Sequence, residues 1–99
     1  MNRYELGIVA RPNLSEAELN ALMEKMKNLI AEQGGEMEAV NLWGKRRLAY
    51  PVEKHHEGYY MFFRFLLSPT RVEEVSRVTR LTEEVLRYIL VKEEKKQPA

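Results

Sequence analysis

Four segments with the spacing of β-strands and two with helical spacing follow one another in a fixed order. This order restricts the possible folds more than any other feature of the chain. Strand spacing covers residues 3–11, 37–50, 58–67 and 85–91, and helical spacing covers 15–33 and 70–81. Apolar residues at every second position predict strands, and those at every third or fourth position predict amphipathic helices. The sequence therefore predicts the order βαββαβ.

The strands differ in how strongly they are predicted. Residues 58–67 give the strongest pattern, and 53–57 before them predict a polar turn. Gly44 predicts a bulge or bend in the second strand, with Trp43 beside it as a partly buried anchor. Pro51 cannot donate a ladder hydrogen bond, which places this strand at an edge of the sheet.

Both helices carry predicted caps. Ser15 with Glu18, and Thr70 with Glu73, have the spacing of a capping box. Gly34 follows the first helix and permits the positive φ at which helices often end. The apolar stripes of the two helices are Leu19, Leu22, Met23, Met26, Leu29 and Ile30, then Val72, Val75, Val78 and Leu81.

Two strand–helix–strand units joined by a central hairpin predict an α+β fold, the ferredoxin-like split βαβ sandwich. In this fold a four-stranded antiparallel sheet carries both helices on one face. The other face stays open, and the function is expected there and in the adjoining loops. Residues 1–92 are expected to form one domain, and the charged segment 93–99 a disordered tail.

Composition excludes several classes of protein. The 99 residues contain no cysteine, so no disulfide or thiolate metal site is possible, and this fits a reducing cytoplasm. The longest apolar run falls well short of the roughly 20 residues that span a bilayer. The N-terminus lacks the architecture of a signal peptide. The net charge is +1, so binding to nucleic acid has to come from local clusters and from a partner that contributes to it.

Basic residues cluster in the predicted hairpin. Arg46 and Arg47 are adjacent, so their side chains should leave an extended strand in opposite directions. Guanidinium groups suit phosphate oxygens and can stack on bases. A solvated loop or a charged, soluble strand edge would explain the same residues. The candidates for RNA contact are Arg3, Lys45, Arg46, Arg47, Lys54, Arg80 and Arg87.

Tyr60, Phe62 and Arg64 alternate with the core positions of the third strand, so they should lie on the open face. Exposed aromatic rings can stack bases, anchor a protein or simply pair with neighbours on the sheet. The segment 57–64 fits the RNA-recognition-motif consensus only at Gly58 and Tyr59, which argues against base stacking. We therefore interpret the open face as a binding surface for a protein partner. Tyr60, Phe62, Arg64 and the tail residue Lys92 are its candidate contacts.

The run Gly44-Lys45-Arg46-Arg47-Leu48-Ala49-Tyr50-Pro51-Val52, within this strand order, resembles the bacterial ribosomal small-subunit protein six family. The resemblance extends from Arg3 to the region of Lys92. Glu53 departs from it, because the family more often has a basic or small residue there, and so does the pair His55-His56.

The resemblance implies a ferredoxin-like, non-enzymatic protein of the cytoplasmic ribosome. It implies binding to the central domain of small-subunit ribosomal RNA together with small-subunit ribosomal protein eighteen. The end of the chain would take part in contact with that partner. No cofactor and no membrane are expected, and the isolated chain is expected to be a monomer.

Other functions are less well supported. Arg11 follows the first strand, but no glycine-rich anion loop surrounds it and no nucleophile–base pair is recognisable, so catalysis is rejected. His55 and His56 lack an obvious third ligand for a metal. Two alternatives stay open: a ferredoxin-like regulatory or sensor domain, and an engineered or reconstructed version of the fold that has lost assembly.

Overall fold

A computed structural model describes residues 1–93 and places four strands in one antiparallel sheet of order β2-β3-β1-β4. The strands are β1 (Asn2–Ala10), β2 (Glu36–Val52), β3 (His55–Leu67) and β4 (Val85–Lys92). The helices are α1 (Glu16–Glu32) and α2 (Val72–Leu81), the latter preceded by a short 3-10 helix at Pro69–Arg71. The predicted ferredoxin-like fold is confirmed, and β2 is at the edge that Pro51 indicated. Residues 94–99 of the predicted tail lie outside the described part of the chain.

The hydrophobic core lies between one face of the sheet and the two helices. Every second residue of β1 and β3 is buried there, as the alternation predicted, with Leu6, Phe63 and Phe65 fully enclosed. Met26 and Ile30 of α1 and Val75 of α2 close the core from the helical side. Because both helices use this face, the opposite face of the sheet has no layer of its own chain above it. That face is called the open face below.

Helix α1 begins and ends as predicted. The backbone N–H of Glu18 donates to Ser15 Oγ at 3.1 Å, and the N–H of Ser15 donates to Glu18 Oε1 at 2.9 Å. The hydrogen bond from the Ser15 N–H, followed by one with the Ser15 side chain, holds the pKa of Glu18 below its ordinary value, because both favour the charged carboxylate. Gly34 follows the helix with φ +81°, which a glycine adopts without strain.

The start and the buried stripe of α2 differ from the prediction. The helix begins at Val72, and Thr70 lies in the preceding 3-10 helix, where its hydroxyl bonds that of Ser68 at 3.0 Å instead of capping. Leu81 is 67% exposed, whereas Thr79 is fully buried. Thr79 satisfies its hydroxyl by donating to the carbonyl of Val75 at 2.7 Å. A polar residue therefore occupies a core position that apolar spacing could not reveal.

The central hairpin is longer and tighter than predicted. The predicted polar turn at 53–57 is wrong, because β3 already begins at His55 and the turn consists of Glu53 and Lys54 alone. Both have positive φ, 49° and 69°, which is the geometry of a two-residue hairpin turn. Pairing of β3 with β1 ends at Tyr59. Residues 46–58 therefore extend past β1 as a two-stranded ribbon, called the arm below.

No helix in the described residues is long and apolar enough to cross a membrane.

Candidate RNA and protein interface

The open face carries a cluster of aromatic and aliphatic side chains. The register pairs Gly7 with Phe62 and Ile89, and Val9 with Tyr60 and Arg87, so these six residues share one face. Ile89 is 61% exposed and Val91, farther along β4, is 43% exposed. Apolar side chains that stay in contact with water on a sheet are typical of a surface that another molecule covers.

Two bulges in β2 bring further side chains to the open face. The register between β2 and β3 skips Glu38 at one irregularity and Trp43 at the next, and a third irregularity lies within the arm. The Trp43 ring lies 4.6 Å from that of Phe62 and 6.5 Å from that of Tyr60, between centroids. Trp43 is 54% exposed, so it is a member of the surface cluster and less enclosed than a buried anchor. The sequence signalled the bulge through Gly44 but could not show which way the extra residue points.

One end of the open face carries side chains that neutralise one another. Arg3 binds Glu38 through two hydrogen bonds, Nε to Oε1 at 2.6 Å and Nη2 to Oε2 at 3.0 Å. Arg64 lies 3.9 Å from Glu5 and 3.3 Å from Glu93. Arg3 holds the pKa of Glu38 below its ordinary value, chiefly through these hydrogen bonds. This region is called the carboxylate end.

The arm, Lys45 beside it, the edge of β4 and the last turn of α2 form a basic end. Arg46 Nε donates to the carbonyl of Trp43 at 3.2 Å, and Lys45 Nζ lies 5.3 Å from the centre of the Tyr59 ring. Arg87 reaches the arm, since its Nη1 donates to the Tyr50 hydroxyl at 2.9 Å. Six of the predicted RNA-contacting residues lie in this region: Lys45, Arg46, Arg47, Lys54, Arg80 and Arg87.

Arg80 and Arg87 are close in space despite lying on different elements. Together with Val85, Leu86 and Tyr88 they line a depression of about 260 Å³ at the edge of β4. Within residues 1–93, none of the six basic side chains of the basic end forms an ion pair. Their charge is therefore available to an anionic partner.

The register also separates residues that the sequence grouped together. Arg46 lies opposite Gly58 and Arg47 opposite Glu57, so the two guanidinium groups leave opposite faces of the arm, as adjacent positions predicted. Arg3 lies at the carboxylate end, away from the other RNA candidates. Lys92 pairs with Tyr4, a core-facing position. It is thus on the other face of the sheet from Tyr60, Phe62 and Arg64.

The histidine pair gives no support to a metal site. His55 and His56 are neighbouring residues of β3, whose side chains alternate between its two faces. No group of three or more histidine, aspartate or glutamate side chains suited to a metal occurs among the described residues.

The chain matches the description "Ribosomal protein S6" over residues 3–92. It belongs to the ribosomal protein S6 family. The expected resemblance is thereby confirmed, and membership makes the chain a structural component of the small ribosomal subunit and not an enzyme.

Individual relatives agree with this membership. The chain is 47% identical over 92 residues to small ribosomal subunit protein bS6 of Caldanaerobacter subterraneus subsp. tengcongensis, covering 93% of this chain and 97% of the relative. It is 44% identical to the bS6 protein of Clostridium kluyveri over 95 residues, which cover 96% and 100% of the two chains.

Solved structures give the same result for the fold. The crystal structure of 30S ribosomal protein S6 from Thermotoga maritima superimposes with a TM-score of 0.89 at 29% identity, covering 93% of this chain and 87% of that one. The C-terminal domain of the MgtC protein from Mycobacterium tuberculosis has a TM-score of 0.59 at 13% identity, over 100% and 95% of the two chains. The latter shares the fold alone.

Proposed function

We propose that this member of the S6 family binds the central domain of small-subunit ribosomal RNA jointly with ribosomal protein eighteen, in the bacterial cytoplasm. The observation that carries the proposal is the separation of two surfaces. The basic end has six cations that form no ion pair among residues 1–93. The open face has an exposed apolar cluster around Phe62. One protein can therefore hold RNA and a protein partner at the same time.

The RNA contact is assigned to the basic end. Arg46 and Arg47 project to either side of the arm, so the arm can place a guanidinium on each of two backbone segments of a folded RNA. Lys45 and Lys54 lie on the same hairpin, and Arg80 and Arg87 continue the charge along β4. Arg3 contributes only if phosphate competes with Glu38 for its guanidinium.

The protein contact is assigned to the open face. Tyr60 and Phe62 form an aromatic cluster with Trp43, and aromatic side chains contribute strongly when a partner excludes water from them. Arg64 lies on the same face beside Glu5 and Glu93. Lys92, on the edge strand, would meet a partner that extends around the β4 edge.

Joint assembly is tested by measuring binding to the matched protein eighteen, with and without central-domain RNA, at physiological salt. We expect the chain to bind RNA weakly alone and cooperatively with protein eighteen, because its net charge is only +1. A well-folded chain that joins neither partner would contradict the proposal and favour a scaffold that has lost assembly.

The RNA surface is tested by changing Arg46 and Arg47 together to alanine. We expect RNA assembly to weaken while the melting temperature stays within a few degrees, since both side chains are exposed. The control replaces Arg71 and Arg77, two exposed arginines at α2, and removes the same charge away from the arm. Equal loss of RNA binding in the control would show that only total charge matters.

The protein surface is tested by Phe62→Ala. This change removes the ring that Trp43 and Tyr60 contact, so we expect weaker binding to protein eighteen with the fold retained. Leu81→Ala is the control, because Leu81 is an exposed apolar residue on α2. Isothermal titration calorimetry measures both, and unchanged affinity of the Phe62 variant would exclude the aromatic cluster from the interface.

A further inference from the structure

A depression lies in the middle of the open face, beside Gly7. Phe62 and Ile89 pack closely over this glycine, because it has no side chain to keep them apart: a Cβ added at Gly7 would lie 3.0 Å from Phe62 Cε1 and 3.2 Å from Ile89 Cγ2. The cavity above it measures about 250 Å³, and Val9, Tyr60 and Arg87 complete its rim. This cavity is called the Gly7 socket below.

The size and lining of the socket indicate what fits it. Pockets for small molecules usually measure roughly 300–1,000 Å³ and are more enclosed, so this cavity suits a single side chain. Its walls are the aromatic ring of Phe62 and the aliphatic side chain of Ile89, of which Ile89 is 61% exposed. Burying such walls against another apolar group removes them from water, which is favourable.

The charges around the socket differ from one side to the other. Glu5, two residues from Gly7 on the same strand and face, lies about 7 Å away along β1. It belongs to the carboxylate end, where three glutamates (Glu5, Glu38 and Glu93) meet only two arginines (Arg3 and Arg64). Arg87 lies on the opposite rim. A basic group next to the side chain that enters the socket would be attracted toward Glu5 and repelled from Arg87. This fixes the orientation of the bound molecule.

We propose that the Gly7 socket receives one bulky apolar side chain of the protein that covers the open face. A lysine or arginine of that protein, about 7 Å from its apolar side chain, lies toward Glu5 and Glu93. This inference rests on the proposed function and specifies how the partner is held. RNA is disfavoured as the occupant because its phosphates would meet the three carboxylates.

The test measures the affinity of the full chain for protein eighteen after the socket is changed in two opposite ways. Gly7→Val adds bulk that forces Phe62 and Ile89 to move, because its Cβ would lie 3.0 Å and 3.2 Å from them, and Ile89→Ala removes one wall of the socket. We expect each variant to bind about tenfold or more weakly, the loss typical of a central anchor. Glu5→Gln should weaken binding less and reduce its dependence on salt.

Two controls separate the socket from general effects on the fold. Ala31→Val introduces the same side chain, by adding two methyl groups, at an exposed position of α1, and Leu81→Ala truncates an exposed apolar residue of α2. Both should bind like the unchanged chain. Thermal unfolding shows whether Gly7→Val retains the fold. If Gly7→Val does not fold, Ile89→Ala still tests the inference, because an exposed side chain can be truncated at little cost to stability.

The outcomes are distinct. If the unchanged chain binds protein eighteen and both socket variants bind within twofold of it, the socket inference is overturned and the proposed function stands. If the unchanged chain does not bind, the proposed function fails and the socket's occupant with it. Two further results would overturn the inference. If the chain alone binds RNA and Ile89→Ala abolishes that binding, the socket belongs to RNA. If the chain self-associates in sedimentation experiments and Ile89→Ala abolishes this, the socket belongs to a second copy.

Discussion

Single residues without a partner in the strand register decide what the open face displays. Glu38 and Trp43 are such residues, and each is brought to the open face at a bulge in β2. Glu38 there binds Arg3 through both carboxylate oxygens, and Trp43 joins the rings of Tyr60 and Phe62. An added residue in a strand interrupts the alternation of faces, which is how β-bulges redirect side chains.

The Arg3–Glu38 pair predicts a pH dependence of stability. The folded state holds the pKa of Glu38 below its ordinary value of 4.5, because Arg3 donates two hydrogen bonds to the carboxylate. A lowered folded pKa stabilises the fold above the unfolded pKa, and this contribution is lost as pH falls through the folded value. We therefore expect unfolding free energy to fall more steeply below pH 4.5 in the unchanged chain than in Glu38→Gln.

Urea unfolding monitored by circular dichroism at several pH values measures this difference. Glu18 and Glu74 also have lowered pKa values, held by Ser15 and Arg77, so part of the acid sensitivity is common to both proteins. If the unfolding free energy falls with pH in parallel for the unchanged chain and for Glu38→Gln, the Arg3–Glu38 pair does not contribute to the acid sensitivity.

At the scale of elements, the arm is the part of the molecule whose geometry is set by its turn. Glu53 and Lys54 both adopt positive φ, which costs residues with a Cβ about 1 kcal/mol or more each. The arm also extends beyond the support of β1, with Leu48 as its buried contact and the Tyr50–Arg87 hydrogen bond as its link to β4. Its stability should therefore respond directly to the turn.

Replacing Glu53-Lys54 by Asn-Gly should stabilise the arm by about 1 kcal/mol, since these residues suit a two-residue turn with positive φ. Native-state hydrogen exchange of the arm amides measures the change, and amides of β1 serve as the internal reference. Gly34→Ala tests the same principle in the opposite direction, at the end of α1. Because Gly34 has φ +81° and open space around it, this change should lower the unfolding free energy by about 1 kcal/mol through backbone strain alone. Unaltered exchange in the arm would mean that the turn does not limit its stability.

At the scale of the whole molecule, charge is separated although the total is small. The net charge of +1 comes from 16 basic and 15 acidic side chains, yet the basic end holds six cations without an ion pair in the described part of the chain. Separated charge can bind and orient an RNA locally, while the near-zero total limits attraction at long range.

This separation predicts a modest dependence of RNA binding on salt. With a handful of phosphate contacts, this chain should contribute a slope of about −2 to −4 to a plot of log K against log salt concentration. Changing Arg46 and Arg47 to alanine should reduce the slope by about 1.4 to 1.8, since each phosphate contact contributes about 0.7 to 0.9. Filter binding in the presence of protein eighteen measures both slopes. An unchanged slope would show that these arginines do not contact phosphates.

Local sequence patterns were sufficient to predict the structure wherever neighbours in sequence are also neighbours in space. The alternation of Tyr4, Leu6 and Ile8 predicted their burial, and Ser15 with Glu18 predicted the start of α1. The same kind of reasoning failed at Thr70, which lies in a 3-10 helix, and at the turn, which Glu53 and Lys54 form without glycine or asparagine. In both cases the backbone adopts a conformation that the local residue types do not favour.

The order of strands and helices, the two faces of β3 and the family were therefore determined by the sequence alone, because periodicity and the run at 44–52 are local properties. The tertiary structure decided which side chains meet across the sheet: Arg3 with Glu38, Trp43 with Phe62, and Arg87 with Tyr50. It also decided that Gly7, Phe62 and Ile89 together line a depression on the open face. These contacts depend on register and bulges, and register is fixed only when the strands pair.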